Sequence, residues 1–503
     1  MDSSRYLVAG LGKTGHSIAR YLHNRAKSFV FFDTRKDPEG LANFQEEFPG
    51  VEVFLGEIPD NLLNQLKEII SSPGVPLDSP FFLKAKSLNI PIVGDIEYLA
   101  REINNVPVIA ITGTNGKSTV TTLVGEMAKA SGLSVAVAGN IGAPVLDLLD
   151  NHINYDLWVL ELSSFQLDLT FSLAPFAATI LNVTPDHLDR HHSFDAYINA
   201  KQQIYHQASK LIYNRGDKNT IPLLKEKDNS NNLEDIDNLS FESRSPATCS
   251  RDPELFLNTQ EYCRDSDRNG SREQVAGRRI MNCQQTLISF GLDEPSAGNW
   301  GIITKDGTYY LAYGNEILLP VEDIKIKGRH NWQNALAACA LADAYGISRQ
   351  FMLAVLKSFA GLPHRSQWVR TIDGVDWIND SKGTNIGATM SAIAGIGDSM
   401  QGKIILIAGG QGKGADFTEL RTSVADYIRT VVLIGEDADL IEKAISDLVN
   451  VIRASSLDEA VTKAKTLATP GDVVLLSPAC ASLDMFRDFN HRGDSFATAV
   501  NSL

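Results

Sequence analysis

The sequence predicts an α/β protein of three domains, each built on a mostly parallel sheet. Two observations carry this. Short β-branched runs alternate with amphipathic stretches along most of the chain, a βαβα rhythm that places parallel strands between layers of helices. The runs also fall into three series, opening near residues 6, 106 and 366. The 503 residues suit about three domains at ~150 residues each. The expected divisions are 1–95 (Rossmann-like), 96–361 (with a phosphate-loop motif) and 362–503 (again Rossmann-like).

In the first series YLVAGLG, FVFFD, VEVFLG and KEIISSPG read as strands, with a helix over about 16–25 after the first. The second begins at VPVIAIT, continues with a helix from Lys117 to about Ser131, and adds strands SVAVAGN, LWVLELSS and ATILNVT. Residues 193–208 carry helix-period apolar positions with Ser193 as N-cap, and the alanine-rich 331–346 ends on a C-cap glycine. In the third, KIILIAGG, TVVLIG and DVVLLSPA each end in a glycine or proline turn, and 459–468 reads as a helix. Residues from about 226 to 285 break the rhythm. They are dense in Asn, Asp, Ser, Arg and Glu without apolar period, and read as a loosely ordered insertion.

The formal net charge of −15 argues against a general nucleic-acid or membrane-surface binder. Five scattered cysteines (Cys249, Cys263, Cys283, Cys339, Cys480) form no C-x-x-C pair and suit reduced thiols. No signal segment and no apolar run of ~18 residues is read. A cytoplasmic protein without membrane insertion, acting as a monomer, is the expectation.

Two glycine-rich loops compete for a nucleotide. GLGKTG at 10–15 matches G-x-G-x-x-G after a strand, with Asp33 closing the next strand, which is the dinucleotide fingerprint in context. ITGTNGKSTVTT at 111–122 places Gly113, Thr114, Asn115, Gly116, Lys117, Ser118 and Thr119 between a strand and a helix. Backbone N–H groups at such a helix start receive anions, Lys117 supplies positive charge to a phosphate, and the Ser118 hydroxyl can reach Mg²⁺. Ile111 stands where a full P-loop has its first glycine, so this loop is short. Glu161 ends one strand and His187 follows another; both could converge on the loop as further Mg²⁺ ligands.

TGTNGKST, ELSSFQL, NVTPDHLDRH, HNWQNALAA, GLPHR, NDSKGTN, GGQGKGADF, LLSPACASLDMFRDF and HRGDSF together resemble the ATP-dependent Mur ligase family of peptidoglycan synthesis. The resemblance covers nearly the whole chain outside about 226–285, and its ending is most similar to the D-glutamate-adding branch. It implies that the first domain holds the uridine nucleotide of UDP-N-acetylmuramoyl-L-alanine through Leu11, Lys13, Thr14, Asp33, Thr34, Arg35, Ser72 and Gly74, with Asn140 at the muramoyl part. It implies ATP contacts from the phosphate loop, Asn334, Arg365 and Asp380. It implies a D-glutamate site from Lys382, Thr384, Lys413, Ser482 and Phe489. An ammonium cannot ligate Mg²⁺, and the resemblance implies that Lys201 is carbamylated and joins His187 at a second Mg²⁺. Catalysis would then rest on Lys117, His187 and Lys201. One departure is Gly383, where many members carry alanine.

The implied reaction is amide formation through an acyl phosphate. The alternatives are a sibling ligase with another amino acid, an NAD-dependent oxidoreductase suggested by GLGKTG alone, and a non-catalytic nucleotide-binding protein.

Overall fold

A computed structural model describes residues 5–38, 40–103, 105–223, 285–326, 328–397, 400, 402–412 and 414–503. The insertion read at 226–285, three of the five cysteines and Lys413 lie outside the described residues, Gln285 excepted.

Three sheets organise the rest. The first orders its strands as Val53–Leu55, Phe29–Asp33, Arg5–Ala9, Leu66–Ser71 and Ile92–Val93, all parallel. Their near-continuous apolar runs fit strands covered on both faces; Phe29–Asp33 is buried at every position. The helix Lys13–Asn24 starts three residues earlier than its apolar period suggests, because the glycine turn passes directly into it.

The second sheet has nine strands. Val135–Gly139, Leu157–Glu161, Val108–Thr112, Ala177–Ile180, Lys210–Asn214 and Thr286–Phe290 run parallel. Trp300–Lys305, Thr308–Tyr313 and Glu316–Pro320 then close the edge as an antiparallel meander. The sequence reading singled out none of these last three strands. Helices Lys117–Ala130 and Arg329–Tyr345 cover one face of the sheet. Val120, Leu123, Val124 and Met127 pack there with Leu336, Leu341 and the buried alanines between them. Alanine's short side chain lets the two helices approach closely, so the alanine run is a packing feature. The segment expected as one helix over 193–208 is shorter. Ser193 does cap it, accepting from the Ala196 N–H at 3.1 Å, but the helix ends at Gln202 and gives way to a 3₁₀ turn at Gln203–Tyr205.

The third sheet orders Gln367–Ile372, Val375–Asn379, Val473–Leu476, Ile404–Gly409, Ile428–Ile434 and Asn450–Arg453. Only its first pair is antiparallel. Among the described residues no helix is long and apolar enough to cross a membrane.

Candidate active site

The phosphate loop follows the strand Val108–Thr112, which lies between Leu157–Glu161 and Ala177–Ile180. The carboxyl ends of such strands form the crevice where open α/β sheets bind ligands. The loop is clamped to residues 182–184. The Thr114 N–H donates to the Asn182 carbonyl at 2.9 Å, and the Asn115 N–H donates to Asn182 Oδ1 at 2.8 Å. Gly116 takes φ +82°, and a Cβ there would lie 2.3 Å from Asn334 Oδ1. Glycine therefore lets the helix Arg329–Tyr345 lean on the loop. The following helix starts with no side-chain cap and no acidic residue in its first turn, which leaves its N–H groups available to an anion.

Two lysines meet at this loop. Lys117 Nζ donates to the Gly113 and Thr114 carbonyls, each at 2.9 Å. Lys201 Nζ donates to the same Gly113 carbonyl at 2.9 Å and lies over the Tyr197 ring. Lys201 is 1 % exposed. Burial, then the Lys117 charge, push its pKa down to about 6 against a small opposing pull from Asp186. Burial lowers Lys117 as well.

Glu161 is buried beside them. Its Oε1 accepts from Asn140 Nδ2 at 2.9 Å, while its Oε2 accepts no hydrogen bond. A buried carboxylate oxygen without a donor is costly unless a cation meets it. Ser118, buried in the first turn of the helix, adds a hydroxyl. His187 stands at the rim, half exposed, with Nε2 3.6 Å from Asp186 Oδ2 and its ring edge-on to Phe165. Among the described residues no three His, Cys, Asp or Glu side chains gather as a ready cation site. The expected set of Ser118, Glu161, His187 and Lys201 contains only two such side chains. The orphaned Glu161 oxygen and the oxygen-rich loop nevertheless suit a hard divalent cation.

At the other glycine loop, Leu11, Asp33, Arg35 and Ser72 come together. Asp33 Oδ2 accepts the Leu11 N–H at 2.6 Å, and its two oxygens also take the Arg35 N–H and guanidinium. Arg35 Nη2 reaches the Leu11 carbonyl at 2.9 Å. Burial acts to raise the Asp33 pKa, but the Arg35 donors and the Leu11 N–H together hold it below the ordinary carboxylate range. Asp33 thus turns inward and fixes the loop. Lys13, Thr34 and Gly74 are exposed around it, Thr14 is partly so, and Asn140 belongs with Glu161.

A cleft of about 150 Å³ gathers Asn115, Gly116, Thr119, Asn334, Arg365, Asp380 and Lys382 from distant parts of the chain. Asn182, His330, Asn331 and Ser366 also line it and were not singled out from sequence. The signal was there in part: Asn331 and Asn334 share one helix face at i,i+3 spacing. Asp380 accepts from the Ser366 N–H at 3.0 Å and the Ser477 hydroxyl at 2.8 Å; burial nonetheless lifts its pKa to about 6. Beyond it, Lys382 Nζ sits 3.7 Å above the Phe489 ring, and Ser482 is buried. Thr384 folds back on Lys382, its N–H donating to that residue's carbonyl at 2.7 Å.

The fold is that of three-domain peptide ligases. The chain aligns over 99 % of its length with 99 % of the UDP-N-acetylmuramate-alanine ligase MurC of Thermotoga maritima, at TM-score 0.53 and 16 % identity. It covers 99 % of the MurF ligase of the same organism, solved in complex with ADP, at TM-score 0.52 and 15 % identity, with 100 % of this chain aligned. The chain belongs to the Mur ligase family. The family models described as Mur ligase MurD-like, N-terminal domain, Mur ligase middle domain, and Mur ligase, glutamate ligase domain match residues 4–94, 111–249 and 364–480. It is 60 % identical over 505 residues, 100 % of both chains, to the UDP-N-acetylmuramoylalanine–D-glutamate ligase of Legionella pneumophila (strain Paris). It is 43 % identical over 497 residues, 99 % of this chain and 98 % of the other, to the like-named enzyme of Pseudomonas fluorescens (strain Pf-5).

Proposed function

We propose that this protein is the ATP-dependent ligase that adds D-glutamate to UDP-N-acetylmuramoyl-L-alanine in peptidoglycan precursor synthesis. The full-length 60 % identity to a ligase of that name carries the reading. The oxidoreductase alternative leaves the phosphate loop, Glu161 and the two lysines without a task.

A free carboxylate is a poor acyl donor because oxide is its leaving group. Transfer of the γ-phosphoryl group of ATP to the L-alanine carboxylate gives an acyl phosphate, whose leaving group is phosphate. The amine of D-glutamate attacks the acyl carbon, the amide forms, and phosphate departs. Residues 113–119 hold the phosphates with backbone N–H groups, and Lys117 balances the charge on the transferring oxygens. Lys117 leaves its two loop carbonyls to do so. Asn334, Arg365 and Asp380 hold the nucleotide. Leu11, Lys13, Thr14, Asp33, Thr34, Arg35, Ser72 and Gly74 hold the uridine end, and Asn140 steadies both the muramoyl part and Glu161. Lys382, Thr384, Lys413, Ser482 and Phe489 receive the dicarboxylate acceptor, for which a cationic side chain is suited.

Ser118, Glu161, His187 and Lys201 would hold Mg²⁺. The ion supplies positive charge to the phosphates when bound. The depressed pKa of Lys201 supports carbamylation, since the neutral amine is the form that adds CO₂. We read it as a cytoplasmic enzyme that acts as a monomer.

The acyl phosphate is tested by omitting D-glutamate and adding hydroxylamine. A hydroxamate of the UDP-muramoyl-alanine, formed only with ATP, is expected. Hydroxamate formation without ATP, or none with it, would oppose the reading.

A further inference from the structure

Arg190 ties the central sheet to the first one. It lies on the short helix Leu188–His191, whose residues Arg190 and His191 donate their backbone N–H groups to the His187 carbonyl at 3.0 Å each. Its guanidinium lies 4.7 Å above the Phe165 ring, in the segment that follows Glu161. From there it donates to the Gly74 carbonyl through Nη1 and to the Val75 carbonyl through Nη2, each at 3.2 Å.

Residues 72–75 are the loop at the end of the strand Leu66–Ser71. Ser72 Oγ donates to the Gly10 carbonyl at 3.2 Å. The Val75 side chain presses on Gly10 so closely that a Cβ there would lie 2.7 Å from Val75 Cγ2. Where Val75 sits therefore decides where the glycine turn sits. On the other side of this loop opens a cavity of about 580 Å³, lined by Pro73, Leu77, Leu83, Ile92 and Arg190 among others. Val75 is buried in the core of the first sheet, so packing seats its side chain, while the backbone carbonyls of the loop on the cavity side are held by a tether. Arg190 is such a tether, and its planar fork can serve two carbonyls while stacking on a ring, which an ammonium cannot reproduce.

We propose that Arg190 is a positioning residue for the uridine-nucleotide substrate. It holds residues 72–75, and through Val75 the glycine turn at Gly10, in register with the catalytic segment bearing Glu161 and His187. This rests on the assignment of the glycine loop to that substrate. Its consequence is that the uridine-nucleotide site and the phosphoryl-transfer site share one brace, Phe165–Arg190, rather than being set independently.

The test measures steady-state kinetics on full-length Arg190→Ala, Arg190→Lys, Phe165→Leu and the Arg190→Ala/Phe165→Leu double variant, with melting temperatures alongside. Loss of two charge-assisted hydrogen bonds should raise the KM for UDP-N-acetylmuramoyl-L-alanine about tenfold in Arg190→Ala, with kcat within about threefold and the KM for ATP unchanged. Arg190→Lys should recover part of this. Phe165→Leu should shift the same KM, and the double variant should add little to Arg190→Ala, because the two side chains act as one unit. If Arg190→Ala folds poorly, Phe165→Leu, which keeps the guanidinium, decides the matter by the same KM. An unchanged uridine-nucleotide KM would overturn the inference while leaving the ligase reading intact. So would an equal loss on all three substrates with a lowered melting temperature. Absence of D-glutamate-dependent turnover in the wild type would instead remove the ligase reading.

Discussion

Lys117 and Lys201 donate to one acceptor, the carbonyl oxygen of Gly113, each at 2.9 Å. Two cations on one carbonyl repel each other, and burial sharpens the repulsion. The pair favours a state in which one amine is neutral, and Lys201, pushed down to about 6, is the one that gives up its proton. The phosphate loop is thus poised to trade one of these hydrogen bonds for contact with substrate.

Lys201 should therefore carry CO₂ at neutral and basic pH. Its amine is neutral above about pH 6 and protonated below, so carbamylation and activity should both fall as pH drops through that value. Native mass spectrometry in bicarbonate should show an adduct of one CO₂ that Lys201→Ala lacks. An active wild type without the adduct would count against the assignment.

Lys117→Ala should lower kcat about a hundredfold to a thousandfold, the usual loss when one charge-stabilising donor is removed from a transition state. Melting temperature should change little, or rise, because a partly buried ammonium whose pKa desolvation lowers is costly to the fold. A large kcat retained in Lys117→Ala would place the phosphoryl charge elsewhere.

Asp33→Ala should act on the uridine nucleotide alone. It strands the Leu11 N–H and removes the carboxylate that holds the Arg35 guanidinium, so the KM for UDP-N-acetylmuramoyl-L-alanine should rise about tenfold with the KM for ATP unaffected. An equal effect on both nucleotides would show that the first glycine loop is not dedicated to the uridine substrate.

Gly383 explains itself by its neighbours. An added Cβ would lie 2.6 Å from Asp380 Oδ2 and 2.5 Å from Ser477 Oγ. Gly383→Ala should displace Asp380 and raise the KM for ATP several-fold, although alanine is what the resemblance led one to expect there. A neutral result would mean that Asp380 can shift without cost.

Asp95 offers a test of stability apart from catalysis. It is 3 % exposed, its Oδ1 has no hydrogen-bond partner, and burial lifts its pKa to about 6. The folded state then holds a proton that the unfolded chain releases between about pH 4 and 6, so stability falls as pH rises through that window and levels off above it. Asp95→Asn should stabilise the protein at pH 8 by at most about 3 kcal/mol, and by almost nothing below pH 4. A gain that is the same at both values would point to another cause.

Much of this was legible in the sequence, for physical reasons that differ by element. The strand–GTNGKST–helix unit is local: loop, helix start and lysine are adjacent in the chain. The capping box of Ser163 and Gln166, with reciprocal bonds at 3.2 and 3.1 Å, is equally local but was not picked out. The edge strands from Trp300 to Pro320 did carry a local signal that went unread: Asp306-Gly307 and Gly314-Asn315 each join two short strands by the two residues of a tight hairpin turn. The roles of Asn182 and Arg190 were hidden because each acts on backbone groups far away in sequence, and a carbonyl leaves no trace in residue identity. Asp33 illustrates the remaining gap. Its place at the strand end was plain, but only the fold shows it turned onto Leu11 and Arg35.

The most direct test of the central claim is product formation by the purified protein with UDP-N-acetylmuramoyl-L-alanine, ATP and Mg²⁺, read by mass spectrometry and phosphate release. D-glutamate, L-glutamate and diaminopimelate are offered in turn. A product one glutamyl unit heavier, formed with equimolar phosphate from D-glutamate alone, is predicted. Turnover only with another amino acid, or phosphate release that no acceptor stimulates, would contradict it.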